Sequence, residues 1–245
     1  FLLAVGFWWL WSGQKTVQFE RITNWSRVSA SSTTAEADCP WRSQLNGACV
    51  ADPTQVAQPV VAVMVENHVA ARPQAGLVDA AIVYEVPVEA NYTRFLALYP
   101  LFTDVKKVGP VRSARPYFLD WLAEWGKKPL YMHVGGSPAA LQTIANRNIF
   151  NINEIYRGWY FWRSSDRAAP HNTYTSATLW QKAWGDYKGG TATASSSWHF
   201  STSTARCEFN CTTKITVSFS PPAFAPTWQY VSSADQYARY QMGEP

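Results

Sequence analysis

Charge is scarce in this chain. Asp, Glu, Lys and Arg make up 16% of its 245 residues, and 21 basic against 17 acidic side chains leave a formal net charge of +4. So small an excess, scattered along the chain, excludes an ordinary nucleic-acid-binding surface but suits an acidic polymer or an anionic membrane as partner. No internal repeat is present, and the sequence lacks an H-E-x-x-H pair, a G-x-S-x-G elbow and a P-loop lysine. Long apolar runs are missing too. The opening "FLLAVGFWWLW" spans residues 1–11. As a helix rising about 1.5 Å per residue it covers roughly half of the ~30 Å hydrocarbon core. Trp8, Trp9 and Trp11 followed by Ser12-Gly13-Gln14-Lys15 suit the exit from a membrane at its interface. Residues 1–13 are therefore read as the end of a transmembrane anchor, with a signal segment and a buried strand as the alternatives.

Cysteine is limited to four residues in two tight pairs, Cys39 with Cys49 and Cys207 with Cys211. Pairs so close in sequence predict two local disulfides and an oxidising compartment. Zinc is the rival, but neither pair has C-x-x-C spacing and no histidine lies near either. The residues before Cys39, "AEAD", end in a charge and do not resemble a lipid-attachment site, which favours anchoring by a helix.

What is abundant is apolar and aromatic: 47% apolar residues, with 13 Trp and 12 Tyr, enough for one sizeable core or two small ones. Residues 14–38 are polar and rich in Ser and Thr and read as a flexible stalk. Beyond them strand-like and helix-like segments alternate. "VVAVMVE" (60–66), "AAIVYEVPV" (80–88), "TRFLALYP" (93–100), "LYMHV" (130–134) and "GWYFWR" (158–163) have strand character. "RPYFLDWLAEWG" carries apolar residues at helical spacing, with Pro116 at its first turn and Gly126 at its stop. "GGSPAALQTIANR" places Ser137 as N-cap before Pro138, and "TSATLWQKAWGDY" (175–187) is a third helix. "KITVSFS" and "TWQYV" open a second, β-rich unit over 191–245 that Pro245 is read as cutting short. The pattern predicts an α/β domain over 39–190, α+β being the alternative, built on a mixed sheet with helices.

Five polar clusters punctuate this pattern: "VENHVAARP" (65–73), "YEVPVEANYTRF" (84–95), "GPVRSARPYFLDW" (109–121), "HVGGSP" (133–138) and "RAAPHN" (167–172). Together they resemble the YerB-like family of bacterial cell-envelope proteins, over roughly residues 39–240 and most specifically 59–179. The resemblance implies an extracytoplasmic, membrane-tethered protein with an α/β domain and a smaller C-terminal domain, on the outer face of a bacterial cell membrane. It implies no established reaction, and no cofactor is expected. Two departures stand out. Ala90-Asn91 follow Glu89 where the family pattern has glycines, and some members read as lipoproteins whereas Asp38-Cys39 does not.

The residues themselves define candidate sites. Glu85 and Glu89, on one face of an ideal strand, are about 13 Å apart, too far for a glycosidase pair. Arginine is the stronger signal: Arg72, Arg94, Arg112, Arg115, Arg163 and Arg167 all lie within or beside the clusters. They are candidates for anion binding, with Arg115 at a helix entry; Arg–Glu bracing of loops is the structural alternative. In "HVGGSP", His133, Gly135, Gly136 and Ser137 form a strand-to-helix turn that could present backbone N–H groups to a phosphate or carboxylate, or simply be a capped connection. Glu66, His68 and His171 are candidate acid–base residues, and Asn67 a ligand-binding neighbour. Glu66 with His68, His133 and His171 could ligate a metal from separate segments, but no motif fixes them, and the working expectation is no metal. Ser113 and Ser137 lack any nucleophile context. The leading expectation is an Arg-lined cleft that binds an anionic envelope polymer. A hydrolase or transferase acting on such a polymer, and a non-catalytic interaction module, are the rivals.

Overall fold

The computed structural model describes residues 17–21, 39–126, 128–189, 198, 200, 212–219, 221–234 and 236–241. The 1–13 segment, the Cys207–Cys211 pair and His199 lie outside them. Among the described residues no helix is long and apolar enough to cross a membrane. The elements in chain order are β1 (Val17–Arg21), β2 (Val60–Glu66), β3 (Ile82–Pro87), β4 (Thr93–Pro100), α1 (Pro116–Leu122), β5 (Leu130–His133), α2 (Pro138–Asn146), β6 (Asn151–Asn153), β7 (Trp162–Arg163), β8 (Thr173–Tyr174), α3 (Ala177–Asp186), β9 (Thr212–Val217), β10 (Thr227–Val231) and β11 (Gln236–Tyr240). They fall into two compact units. The described residues within 28–88 and 93–205 form one; those within 1–27, 89–92 and 206–245 form the other.

The larger unit is an α/β fold on a mixed five-stranded sheet, order β3-β4-β2-β5-β6. β4 runs antiparallel to β2 and β3, while β5 pairs parallel to both β2 and β6. Every residue of β2 is buried, as a strand covered on both faces must be. Its side chains alternate between two cores. Val61, Val63 and Val65 pack with Trp180 and Ala183 of α3, whereas Val60, Ala62 and Met64 pack with Phe118 and Leu119 of α1 and Ile144 of α2. The sheet is thus sandwiched, and each fully buried Val, Leu, Ile or Phe contributes about 1.5–3 kcal/mol.

Local chemistry sets the helix boundaries. Arg115 is extended (φ −134°), as a residue before proline is pushed to be, and Pro116 opens α1. Ser137 Oγ accepts a hydrogen bond from Ala140 N at 3.2 Å at the start of α2, and Ser176 Oγ accepts from Leu179 N at 3.4 Å at the start of α3. Cys39 and Cys49 are joined by a disulfide.

Three expectations change. "GWYFWR" is a 3-10 turn, Gly158–Tyr160, followed by the two-residue β7, because Gly158 opens a turn instead of continuing a strand. Glu85 and Glu89 do not share a strand face: β3 stops at Pro87 and Glu89 lies in the turn beyond. Within the stretch read as a stalk, Val17–Arg21 form β1, which pairs antiparallel with β9.

The smaller unit holds an antiparallel sheet, order β1-β9-β10-β11. Its 89–92 segment explains the missing glycines. Ala90 (φ 56°) and Asn91 (φ 58°) both take the left-handed conformation that glycine adopts without penalty. Asn tolerates it better than Ala, which adopts it at an energetic cost. Ala90→Gly is expected to stabilise the protein by about 0.5–1 kcal/mol, read as a higher midpoint in urea. An unchanged or lower midpoint would mean that the turn relaxes around alanine at no cost.

Candidate functional site

The polar clusters meet at the carboxyl end of β2, where a third segment enters the sheet. β2 and β5 pair only as far as Val63 with Met132. Beyond that point residues 110–114 run between them. Glu66 N donates to Pro110 O and Arg112 N to Met64 O, both at 2.9 Å, on one side; Val134 N donates to Arg112 O at 3.1 Å and Ala114 N to Gly135 O at 3.0 Å on the other. Gly109 (φ 145°) makes the entry possible, since a Cβ there would sit 2.8 Å from the Thr173 carbonyl oxygen. The run "GPVRSAR" is therefore structural wedge and site wall at once.

Asn67 is the hub. Its side chain is fully buried. Its Nδ2 donates to Glu85 Oε1 at 3.1 Å and to Thr93 Oγ1 at 2.6 Å, and its Oδ1 accepts from Arg72 Nε at 3.1 Å and Gln74 Nε2 at 2.8 Å. Both amide hydrogens and both lone pairs are used. Thr93 Oγ1 in turn donates to Glu85 Oε1 at 2.7 Å, so one amide ties β2, β3, β4 and the 69–74 turn together.

Glu66, the last residue of β2, is 5% exposed and anchors two donors. Its Oε1 accepts from Arg112 Nε at 3.0 Å, and its Oε2 faces His171 Nδ1 at 2.9 Å. A carboxylate only accepts, so the contact is a hydrogen bond when Nδ1 of His171 carries the ring proton. His68 stacks on His171, ring centroids 4.7 Å apart and 14° from parallel, and its Nδ1 accepts from Ala70 N at 3.1 Å. The side chains of Arg112 and His171 keep 26% and 19% of their surface. Among the described residues, the two terminal guanidinium nitrogens of Arg112 and Nε2 of His171 have no hydrogen-bond partner.

The other arginines are engaged inside the protein. Besides Arg72 on Asn67, Arg94 donates to Ser113 O at 2.7 Å and Arg115 to Ala114 O at 2.7 Å. Arg163 bridges Glu154 Oε1 at 2.9 Å and Asn172 Oδ1 at 3.1 Å. Arg167 donates to the carbonyls of Ala71 at 2.5 Å and Pro73 at 2.8 Å.

His133 stands apart from Glu66, His68 and His171. It is fully buried and stacked on Tyr131. Its Nδ1 lies 2.7 Å from Gly135 O and its Nε2 3.2 Å from Asn151 Oδ1. Burial holds its pKa below the ordinary histidine value, against the opposing pull of the Gly135 and Asn151 contacts, which keeps it neutral. The "HVGGSP" turn is a capped connection. Gly135 N donates to Asn153 Oδ1 at 2.9 Å, Ser137 N to Ala114 O at 3.2 Å, and the Ser137 hydroxyl is the helix cap. Gly136 packs against Ala114 and Leu141. Among the described residues no group of three or more His, Cys, Asp or Glu side chains is placed to hold a metal ion.

The structural members that sequence reasoning passed over are Gln74, Thr93, Asn153 and Asn172. Thr93 and Asn172 lie inside recognised clusters, Gln74 just past one and Asn153 outside them all, but short polar residues carry no pattern that separates a buried hydrogen-bond partner from a solvated loop residue.

Residues 45–188 match the family described as "Protein of unknown function (DUF3048) N-terminal domain". Over 124 residues the chain is 41% identical to the Bacillus subtilis (strain 168) protein named "Putative lipoprotein YerB", covering 50% of this chain and 37% of that one. The chain thus aligns with little more than a third of the curated relative's length. The crystal structure of YerB protein from Bacillus subtilis superposes with a TM-score of 0.71 at 29% identity, over 83% of this chain and 67% of that one.

Proposed function

We propose, from the premise that the chain belongs to the DUF3048 family, that it is the extracytoplasmic part of a bacterial envelope protein held at the membrane, and that it binds an anionic group of an envelope polymer through Arg112 and His171. The lipoprotein name of the relative, the Cys39–Cys49 disulfide and the apolar 1–11 segment support the location. One observation carries the binding. A single buried carboxylate, Glu66, grips Arg112 by Nε and His171 by Nδ1, so both side chains are tied to one anchor while the terminal guanidinium nitrogens and the imidazole Nε2 have no partner among the described residues. A guanidinium fork matches the oxygens of phosphate or carboxylate two at a time. His171 adds a second donor only as imidazolium, because in the neutral ring Nε2 is a lone pair.

The same Glu66–His171 contact favours a second reading. A carboxylate that fixes the imidazole with its Nε2 lone pair outward is the arrangement of an oriented general base, and His68 stacked alongside holds the ring in place. That reading requires the neutral ring.

The test is the melting temperature of the chain titrated with inorganic phosphate and with poly(glycerol phosphate). At about a hundred times Kd, binding contributes about 2.7 kcal/mol, a rise of about 5–10 °C for a protein of this size. The rise is expected to vanish in Arg112→Ala and to persist in Arg147→Ala, whose exposed guanidinium is paired with Asp120. No rise with either anion, or an equal rise in Arg112→Ala, would overturn the proposal.

A further inference from the structure

A groove of about 600 Å³ opens at the other end of the same strand, lined by residues of the 43–58 segment, the 78–81 turn and the 100–103 loop. β2 begins beside it: Val60 pairs with Pro100, and Leu101 N donates to Pro59 O at 2.8 Å. At about 3.3 Å per residue, the length of β2 puts the groove roughly 20 Å from Glu66.

Its lining differs in kind from the Arg112 site. No lysine or arginine contributes to it, and Asp79 is its one charged residue. An anionic ligand would meet a carboxylate with nothing to offset it. The other hydrogen-bonding groups are neutral, and two are locked in orientation. Gln58 Oε1 accepts from Phe102 N at 3.1 Å and Asn46 Oδ1 accepts from Ala48 N at 3.2 Å. Each amide thereby spends its oxygen on the protein, while its NH2 has no partner among the described residues. The Asp79 carboxylate likewise accepts no hydrogen bond among them. Phe102 is 64% exposed and Val78 94%, leaving an aromatic ring and a branched apolar side chain uncovered on the groove's wall.

Oriented amide donors, an open carboxylate acceptor and an exposed ring suit a ligand whose hydroxyls both donate and accept and whose C–H faces are apolar. We propose that this groove is a saccharide subsite that takes a neutral glycan segment, with Asp79 accepting from sugar hydroxyls, Asn46 and Gln58 donating to them, and Phe102 covering a sugar C–H face. It is independent of the Arg112–His171 site in position and in ligand chemistry.

The test is isothermal titration of the chain with two neutral tetrasaccharides, cellotetraose and chitotetraose. Saturable binding of at least one is expected. Phe102→Ala and Asp79→Ala should each weaken it at least about tenfold, or about 1.4 kcal/mol, with melting temperatures close to wild type because both side chains are exposed. Arg112→Ala should bind the sugar as wild type does, so failure at one site cannot be mistaken for failure at the other. Binding of neither sugar, or binding that ignores both groove substitutions, would overturn the assignment.

Discussion

Asn67→Ala is expected to destabilise the protein by about 3–5 kcal/mol. The magnitude follows from what the truncation leaves behind. Glu85 and Thr93 lose a donor, and Arg72 and Gln74 lose an acceptor, at a position with no access to water. Several buried groups at roughly 1–3 kcal/mol each, partly rescued by relaxation, sum to that range. Asn67→Asp preserves shape but turns the donor facing Glu85 into a second carboxylate, so it should be no better tolerated. Urea denaturation of both variants checks this. A loss below about 1 kcal/mol for the alanine variant would mean that the network is not as closed as its geometry indicates.

Glu66→Ala is the second. Removing one partner of a buried ion pair strands the other, at a typical cost of about 3–5 kcal/mol. Here two donors, Arg112 and His171, share the one carboxylate. The coupling is what distinguishes this account from simple loss of packing. His171→Ala should cost clearly less in the Glu66→Ala background than in wild type, by about 1–3 kcal/mol in a double-mutant cycle. Additive effects would show that the Glu66–His171 contact contributes nothing to the fold.

Much of the fold was legible because its strongest signals are local. The apolar, β-branched run at Val60–Glu66 and the Pro116 and Ser137-Pro138 helix starts are found where residue preferences place them. β6 was not legible. Asn151–Asn153 has neither length nor alternation, and is a strand only because β5 offers it a parallel edge. Nor could the wedge at 110–114 be read, since isolated bridges on two flanking segments leave no periodic trace. The candidate site divides in the same way. Glu66, His68 and His171 were candidates by residue type, and tertiary structure brings them into one cluster. His133 shares their chemistry but points into the core beside Tyr131, away from them. Six arginines looked equivalent in sequence. Which guanidinium keeps its fork open depends on the distances to carbonyls and carboxylates far along the chain, as Arg167 reaching back to Ala71 illustrates.

The most direct test of the central claim, that Glu66 presents Arg112 and His171 to an anion, is the long-range 1H–15N spectrum of the His171 ring during a phosphate titration. The account predicts that Nδ1 carries a proton held by Glu66 and that the Nε2 resonance shifts as phosphate binds. A ring protonated on Nε2 alone before phosphate is added, or one whose two nitrogens do not respond to saturating phosphate, would contradict it.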